Sequence, residues 1–82
     1  MFSVAFTKTA EKQLDKLPQN IQVRIINVLE RIKIRPFHFV KRKEGTPYFI
    51  MRVGDHRVIL DIRVDKSMIY VMEAGHRKNI YD

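Results

Sequence analysis

Three apolar segments in the second half of the chain constrain its fold more than any other feature. They occupy Tyr48–Val53, Val58–Ile62 and Met68–Ala74 and are rich in β-branched and aromatic residues, a composition typical of strands. Short turn signals separate them: Gly54-Asp55 at the first junction and residues 64–67 at the second. The spacing therefore predicts three consecutive strands joined as an antiparallel meander.

The first half of the chain predicts one strand and two helices. Apolar residues alternate at positions 2, 4 and 6, as in a strand with one buried face. Thr7 or Thr9 can cap a first helix, and Pro18 separates it from a second helix over residues 19–33. A junction this short folds the helices back as a hairpin. The order β-α-α-β-β-β predicts a single α+β domain over residues 1–82, an antiparallel sheet with the helical hairpin packed on one face.

Charge and composition narrow the class of partner. Sixteen Lys and Arg residues stand against nine Asp and Glu, giving a net charge of +7, and so basic a small domain favours a nucleic-acid partner. A basic surface that is merely solvated, or an acidic protein partner, remains an alternative. The chain has no cysteine, which excludes disulfides and thiolate zinc sites. No apolar run approaches the ~18 residues of a membrane span, so we expect a cytoplasmic protein without a membrane partner.

Residues 31–43 form a strongly basic segment. It contains no acidic residue, and Phe37 and Phe39 stand inside it. Its six cations are Arg31, Lys33, Arg35, Lys41, Arg42 and Lys43. Cations alternating with aromatic rings are suited to single-stranded RNA, whose bases stack and whose phosphates pair with charge. The structural alternative, which we adopt for the two phenylalanines, is that they fill the core beneath a loop.

The remaining polar residues favour one kind of chemistry. His38, His56 and His76 lack the spacing of a zinc site, so the sequence predicts neither a metal nor another cofactor. Several cations instead mark the ends of the predicted strands, with a tyrosine behind them: Arg52, Arg57, Arg77, Lys78 and Tyr81. RNA carries its own nucleophile in the 2′-hydroxyl. Fixed guanidinium groups can stabilise the charged transition state, and a tyrosine or histidine can move the proton.

Two motifs then resemble a known family. The run from Arg52 to Leu60 reads R-V-G-D-H-R-V-I-L, and the run from Gly75 to Tyr81 reads G-H-R-K-N-I-Y. They resemble the stretches R-V-G-D-Y-R-V-I-Y and G-H-R-R-x-x-Y of RelE-like toxins in the RelE/ParE superfamily. Residues Thr7 to Leu17 also match the first-helix pattern of that family, so the resemblance covers the whole chain.

The resemblance implies a toxin of a toxin–antitoxin pair with a RelE-like, microbial-RNase type of fold. It implies cleavage of messenger RNA on the ribosome without metal, and a cognate antitoxin that binds the toxin in a hetero-oligomer. By motif, Arg57 corresponds to an arginine that stabilises the transition-state phosphate and Arg77 to one that acts at the leaving side. Tyr81 corresponds to a tyrosine that stacks on or orients the nucleotide, and Arg52 to a basic catalytic position.

Two positions depart from the family pattern. Many relatives carry a cation where this chain has Ile50, and a tyrosine where it has His56. Lys41, Arg42 and Lys43 can supply the missing charge from the loop, and His56 either offsets the loss or simply fills space. The predicted RNA-binding residues are these four and Lys78. The alternatives are a ParE-like toxin that acts on gyrase, which Arg77 and Tyr81 argue against, and a non-catalytic toxin that serves with its antitoxin in repression, which Ile50 favours.

Overall fold

A five-stranded sheet with two helices on one face makes up the fold. The computed structural model describes residues 1–80. The strands are β1 (Ser3–Phe6), β2 (Val40–Arg42), β3 (Phe49–Val53), β4 (His56–Arg63) and β5 (Met68–His76), and the helices are α1 (Lys8–Asp15) and α2 (Gln19–Ile32). The order across the sheet is β1-β5-β4-β3-β2. The predicted α+β class and the helical hairpin on one face are confirmed.

The sheet differs from the predicted one in two respects. It is mixed, because β1 lies parallel to β5, with Val4 opposite Ile69, while the other neighbouring strands are antiparallel. The chain between β1 and the meander contains both helices, and a connection of this length allows two strands to lie parallel. The second difference is β2, a strand in the segment predicted as a loop. It pairs with β3 through three residues, from Val40 opposite Met51 to Arg42 opposite Phe49.

The junctions follow the local sequence closely. Val53 pairs with His56, so Gly54 and Asp55 form a two-residue hairpin turn, in which Gly54 has a φ of +58°. Thr7 rather than Thr9 caps α1, because its Oγ1 accepts the Ala10 backbone N–H at 3.1 Å. The same hydroxyl donates to the Met72 carbonyl at 3.0 Å, which ties the start of the helix to β5. None of the helices within residues 1–80 is both long and apolar enough to cross a membrane.

Strand alternation divides the sheet into two faces. The helix-covered face carries the main core, where Ile25, Leu29 and Ile32 of α2 pack against strand residues such as Met51, Val58, Leu60, Ile69 and Val71. We call the other side the open face; its central positions are Lys41, Ile50, Arg52, Arg57, Ile59, Glu73 and Gly75, which oppose one another in register. The predicted functional residues divide between these two faces.

The expectation that Phe37 and Phe39 fill the core is wrong. Their side chains are 49% and 43% exposed. The rings of Phe37 and Phe49 meet edge to face, with centroids 5.3 Å apart, and Phe39 packs edge-on against His38. The core beneath this segment is already occupied by α2 and by the buried Pro36, so both rings remain at the surface.

Candidate nucleic-acid interface

Two arginines lie side by side on the open face. Arg52 of β3 and Arg57 of β4 are directly opposite each other, and Cβ atoms in such pairs are ~5 Å apart. Like charges at this separation repel each other and destabilise the strand pair. On its other side Arg57 faces Gly75 of β5. One phosphate is able to contact both guanidinium groups, and its negative charge offsets their mutual repulsion.

The Arg57 guanidinium is held against the β3–β4 turn. Its Nη1 donates to the carbonyl of Gly54 at 3.3 Å and to that of His56 at 3.1 Å. The residue is half-buried, whereas Arg52 is exposed. A guanidinium fixed by backbone carbonyls needs little reorganisation when charge develops nearby, which is the condition for effective electrostatic stabilisation.

The chain that follows β5 returns to the same turn. The Arg77 backbone N–H donates to the Asp55 carbonyl at 2.8 Å, and the Asn79 N–H donates to the His76 carbonyl at 2.8 Å. The Lys78 N–H donates to Nδ1 of His76 at 3.1 Å. These bonds form a tight turn that joins the end of β5 to the β3–β4 hairpin. Arg77 and Lys78, both exposed, therefore lie at the same end of the sheet as Arg57.

Ile80 anchors this turn on the open face. Its side chain is 6% exposed and packs with Ile50 and Ile59 in a second apolar cluster, separate from the main core. A Cβ on Gly75 would come within 3.2 Å of Ile80 Cγ1, so the glycine provides the room that Ile80 occupies. Sequence reasoning missed Ile80. Its signal was an isolated apolar residue directly before Tyr81.

The same cluster gives Ile50 a role that the sequence did not suggest. Read from the sequence alone, Ile50 was a lost cation. In the structure it is 1% exposed and forms part of the surface on which Ile80 packs. A lysine here would place its charge beneath the isoleucine, so an apolar residue at position 50 fits this form of the C-terminal turn.

The remaining RNA-binding candidates lie on different faces of the sheet. Lys41 lies opposite Ile50 on the open face, and Lys43 lines a cavity of about 190 Å³ there, together with Ile59, Glu73 and Ile80. Arg42 points to the helix side of β2, with its guanidinium carbon 5.8 Å from the centroid of the Phe49 ring.

His56 also lies away from the open face. It pairs with His76 across the strands, on the side covered by the helices. Neither Arg42 nor His56 therefore joins Arg52 and Arg57. Tyr81 lies outside the described residues. Within residues 1–80 no three His, Asp or Glu side chains lie close enough together to hold a metal ion.

Burial and neighbouring charge lower the pKa of His56. Desolvation is the largest cause, followed by the charge of His76, whose ring centroid is 5.5 Å away; Asp55 opposes the shift and Arg24 adds to it. The folded state thus takes up a proton less readily than the unfolded chain, whose histidine has a pKa of 6.5. The free energy of unfolding should fall as the pH drops below that value and level off below the lowered pKa.

The measurement is urea unfolding at a series of pH values from about 8 to 5. His56→Gln should flatten the dependence, and His38→Gln, the same change at an exposed histidine, serves as the matched control. A His56→Gln variant with the wild-type pH dependence would contradict the assignment.

Comparison with known proteins agrees with this architecture. A family model described as the ParE toxin of type II toxin–antitoxin systems matches residues 4–81. The chain is 28% identical to Toxin RelG of Mycobacterium tuberculosis over 98% of its own length and 95% of that protein. Its structure resembles a chain of the RelBE2 toxin–antitoxin complex of the same organism, with a TM-score of 0.83, 26% identity and 93% and 98% of the two chains covered.

A second solved structure is similar in the same way. It is the RelB–RelE antitoxin–toxin complex of Methanococcus jannaschii, with a TM-score of 0.75, 28% identity and 94% of each chain covered. The resemblance to the RelE/ParE superfamily read from the two sequence motifs is confirmed. Because the family model spans almost the whole chain, this protein belongs to the ParE toxin family and is the toxin of a type II toxin–antitoxin system.

Proposed function

We propose that the protein is an endoribonuclease that cleaves messenger RNA on the ribosome and so stops translation. One observation supports this above the others: Arg52 and Arg57 face each other on the open face, and the turn that carries Arg77 is hydrogen-bonded to the same hairpin. Three guanidinium groups at one end of a sheet suit the extra negative charge of a phosphate in its transition state.

The chemistry follows from RNA itself. The 2′-hydroxyl of one nucleotide loses its proton as its oxygen forms a bond to the adjacent phosphorus. The bond from phosphorus to the 5′-oxygen breaks, and that oxygen takes up a proton to become the 5′-hydroxyl. Arg57, half-buried and fixed by two carbonyls, stabilises the equatorial oxygens. Arg77 stabilises the leaving side, and Tyr81 orients the nucleotide or takes part in proton transfer. No metal or other cofactor is required by this route.

Lys41 and Lys43 extend the site along the open face. They lie beside Ile50 and Ile59, in the direction away from the β3–β4 turn, where they can pair with phosphates flanking the scissile one. Each such contact also adds to the salt dependence of binding. A messenger bound to the ribosome is a cytoplasmic substrate, so we place the protein in the cytoplasm.

The partner that restrains this activity is a cognate antitoxin. The similar structures from M. tuberculosis and M. jannaschii are toxin–antitoxin complexes, and we propose a hetero-oligomer of the same kind here. The net charge of +7 favours an acidic antitoxin segment. Such a segment can mask the open face through the same cations that bind phosphate.

The chemical form of the product ends tests the reaction. Attack by the 2′-oxygen leaves a 2′,3′-cyclic phosphate or its 3′-phosphate hydrolysis product on one fragment and a free 5′-hydroxyl on the other. We therefore expect the downstream fragment from a purified translation system to be labelled by polynucleotide kinase without prior phosphatase treatment. A single 2′-deoxy substitution before the scissile phosphate should abolish cleavage, while the same change one nucleotide downstream serves as the matched control. Fragments that carry a 5′-phosphate would contradict the mechanism.

A second candidate is a ParE-like toxin that inhibits gyrase, because the matching family model bears the ParE description. The backbone hydrogen bond that joins Arg77 to the Arg52–Arg57 hairpin argues against it, since a gyrase inhibitor has no use for a phosphate site of this form. Inhibition of DNA supercoiling without messenger cleavage would favour this candidate. The non-catalytic alternative loses its main support, because Ile50 has a packing role.

A further inference from the structure

A cavity of about 290 Å³ lies where α2 passes the β3–β4 turn. From the helix it is lined by Arg24, Asn27, Val28 and Arg31, and from the end of β3 by Arg52, Val53 and Gly54. The helical residues follow the spacing i, i+3, i+4, i+7 and so share one side of α2. Three arginines and one amide thus line this cavity, and none of its lining residues within 1–80 is acidic.

Gly54 sets the position of Arg24. A Cβ at Gly54 would lie 3.2 Å from Nη1 and 3.3 Å from Nη2 of Arg24. The glycine is already required by the turn, where its φ is +58°, and the missing side chain allows the guanidinium to lie against the backbone. Arg24 is an exposed residue whose guanidinium lies next to the Gly54 backbone.

Arg52 connects this cavity to the open face. β2 pairs with β3 only as far as Met51, so within residues 1–80 no strand pairs with the outer edge of β3 at the next residue. Arg52 opposes Arg57 on the open face and also lines the α2 cavity. A continuous series of cations consequently runs from Arg57 around the edge of the sheet to Arg24 and Arg31.

We propose that this cavity is a second phosphate-binding site, which holds the ribose-phosphate backbone of RNA outside the scissile nucleotide. The planar forks of Arg24 and Arg31 bind phosphate oxygens in pairs, as lysines cannot, and the Asn27 amide supplies a further donor. Arg24 and Arg31 bring two positive charges to the same cavity, and the charge of a bound phosphate offsets their mutual repulsion. The proposal rests on the proposed function, since it extends the RNA path of the same protein.

Two sources can supply such a backbone: the messenger itself or ribosomal RNA. The experiment uses a fluorescent single-stranded RNA carrying 2′-O-methyl groups, which cannot attack the phosphate, and separately purified ribosomes. The test variant is Arg24→Gln/Arg31→Gln, and Lys8→Gln/Lys12→Gln on α1 removes the same charge from exposed residues away from the cavity. Circular dichroism checks that both remain folded.

We expect the test variant to bind at least one of the two RNAs ~10-fold more weakly in about 100 mM salt. The slope of log affinity against log salt should fall by about 0.7 for each lost phosphate contact on a single strand. The Lys8→Gln/Lys12→Gln control should change little. The variant Arg24→Lys/Arg31→Lys should keep the wild-type salt slope, because both positive charges remain. It should still bind RNA more weakly, because lysine lacks the planar guanidinium that binds two phosphate oxygens. Weakened binding of the oligonucleotide assigns the cavity to the messenger, and weakened binding of ribosomes alone assigns it to ribosomal RNA.

Equal effects of the test and control variants on both RNAs would overturn the proposal, as would a test variant that loses affinity for the antitoxin alone. These results are distinct from failure of the proposed function. If the wild-type protein binds RNA but never cleaves it, the nuclease assignment is contradicted. The comparison of RNA binding between the test and control variants still decides whether the cavity binds phosphate. A wild-type protein that binds neither RNA overturns both.

Discussion

Replacing Arg57 or Arg77 by alanine is expected to lower the rate of messenger cleavage by about 10²-fold or more, the usual effect of removing one preorganised donor from a transition state. Arg57 is fixed by the Gly54 and His56 carbonyls, and the Arg77 backbone is fixed by that of Asp55. Both substitutions should lower the maximal cleavage rate at saturating ribosomes (kcat) more than they raise the ribosome concentration that gives half of that rate (KM). Arg57→Lys, which keeps the charge and loses the planar fork, should fall between alanine and wild type.

Arg63→Ala is the matched control. Arg63 lies on the same strand as Arg57, six residues away and thus ~20 Å along β4, and its guanidinium pairs with Asp61 at 3.0 Å. An exposed pair of this kind contributes little to stability, and the residue is far from the hairpin. The control should therefore cleave normally. Folded Arg57→Ala and Arg77→Ala proteins that also cleave at the wild-type rate would show that neither arginine takes part in the reaction.

Ile80→Ala is expected to have the second largest effect, a loss of cleavage of roughly 10-fold or more. The side chain is 6% exposed and fastens the turn that carries Arg77. Burial of an isoleucine contributes about 1.5–3 kcal/mol, and most of that is lost with the alanine. The turn should then leave the sheet in a substantial fraction of molecules, because local opening needs less free energy than global unfolding. The measurement is the single-turnover cleavage rate well below the melting temperature.

The control for this variant is Ile62→Ala. Ile62 is 8% exposed and belongs to the main core on the helix-covered face, so the chemical change is identical. It should lower the melting temperature at least as much as Ile80→Ala and leave the cleavage rate of the folded protein near wild type. Similar losses of rate in both variants would mean that Ile80 acts only through overall stability.

Local patterns predicted those parts of the fold that depend on neighbouring residues. Gly54-Asp55 gave the hairpin turn, Thr7 the helix cap and Pro18 the junction between helices, because each acts through its own backbone conformation or hydrogen bonds. β2 was missed because Val40, Lys41 and Arg42 show no alternation within a basic segment. That strand forms only because the edge of β3 is available, which is a tertiary condition.

The candidate site was predicted in the same uneven way. Arg52, Arg57 and Arg77 stood out because they flank turns, and turns at one end of a meander come together. Arg42 and His56 lie on the other face of the sheet from Arg52 and Arg57. This separation could not be predicted, because the face that a residue occupies depends on the register of the strands. Ile80 and Ile50 were not recognised as a pair, because thirty residues of chain separate them and only the sheet brings them into contact.

The parallel pairing of β1 with β5 has a consequence for the timing of synthesis. Residues 3–6 find their partners only after residues 68–71 have been made, and the turn carrying Arg77 follows directly. Long-range pairing of this kind delays folding until late in chain growth. The strands that position the arginines therefore complete their sheet only after residues 68–71 have left the ribosome. A nascent chain that stops short of this point lacks the central strand β5 and has no assembled arginine site.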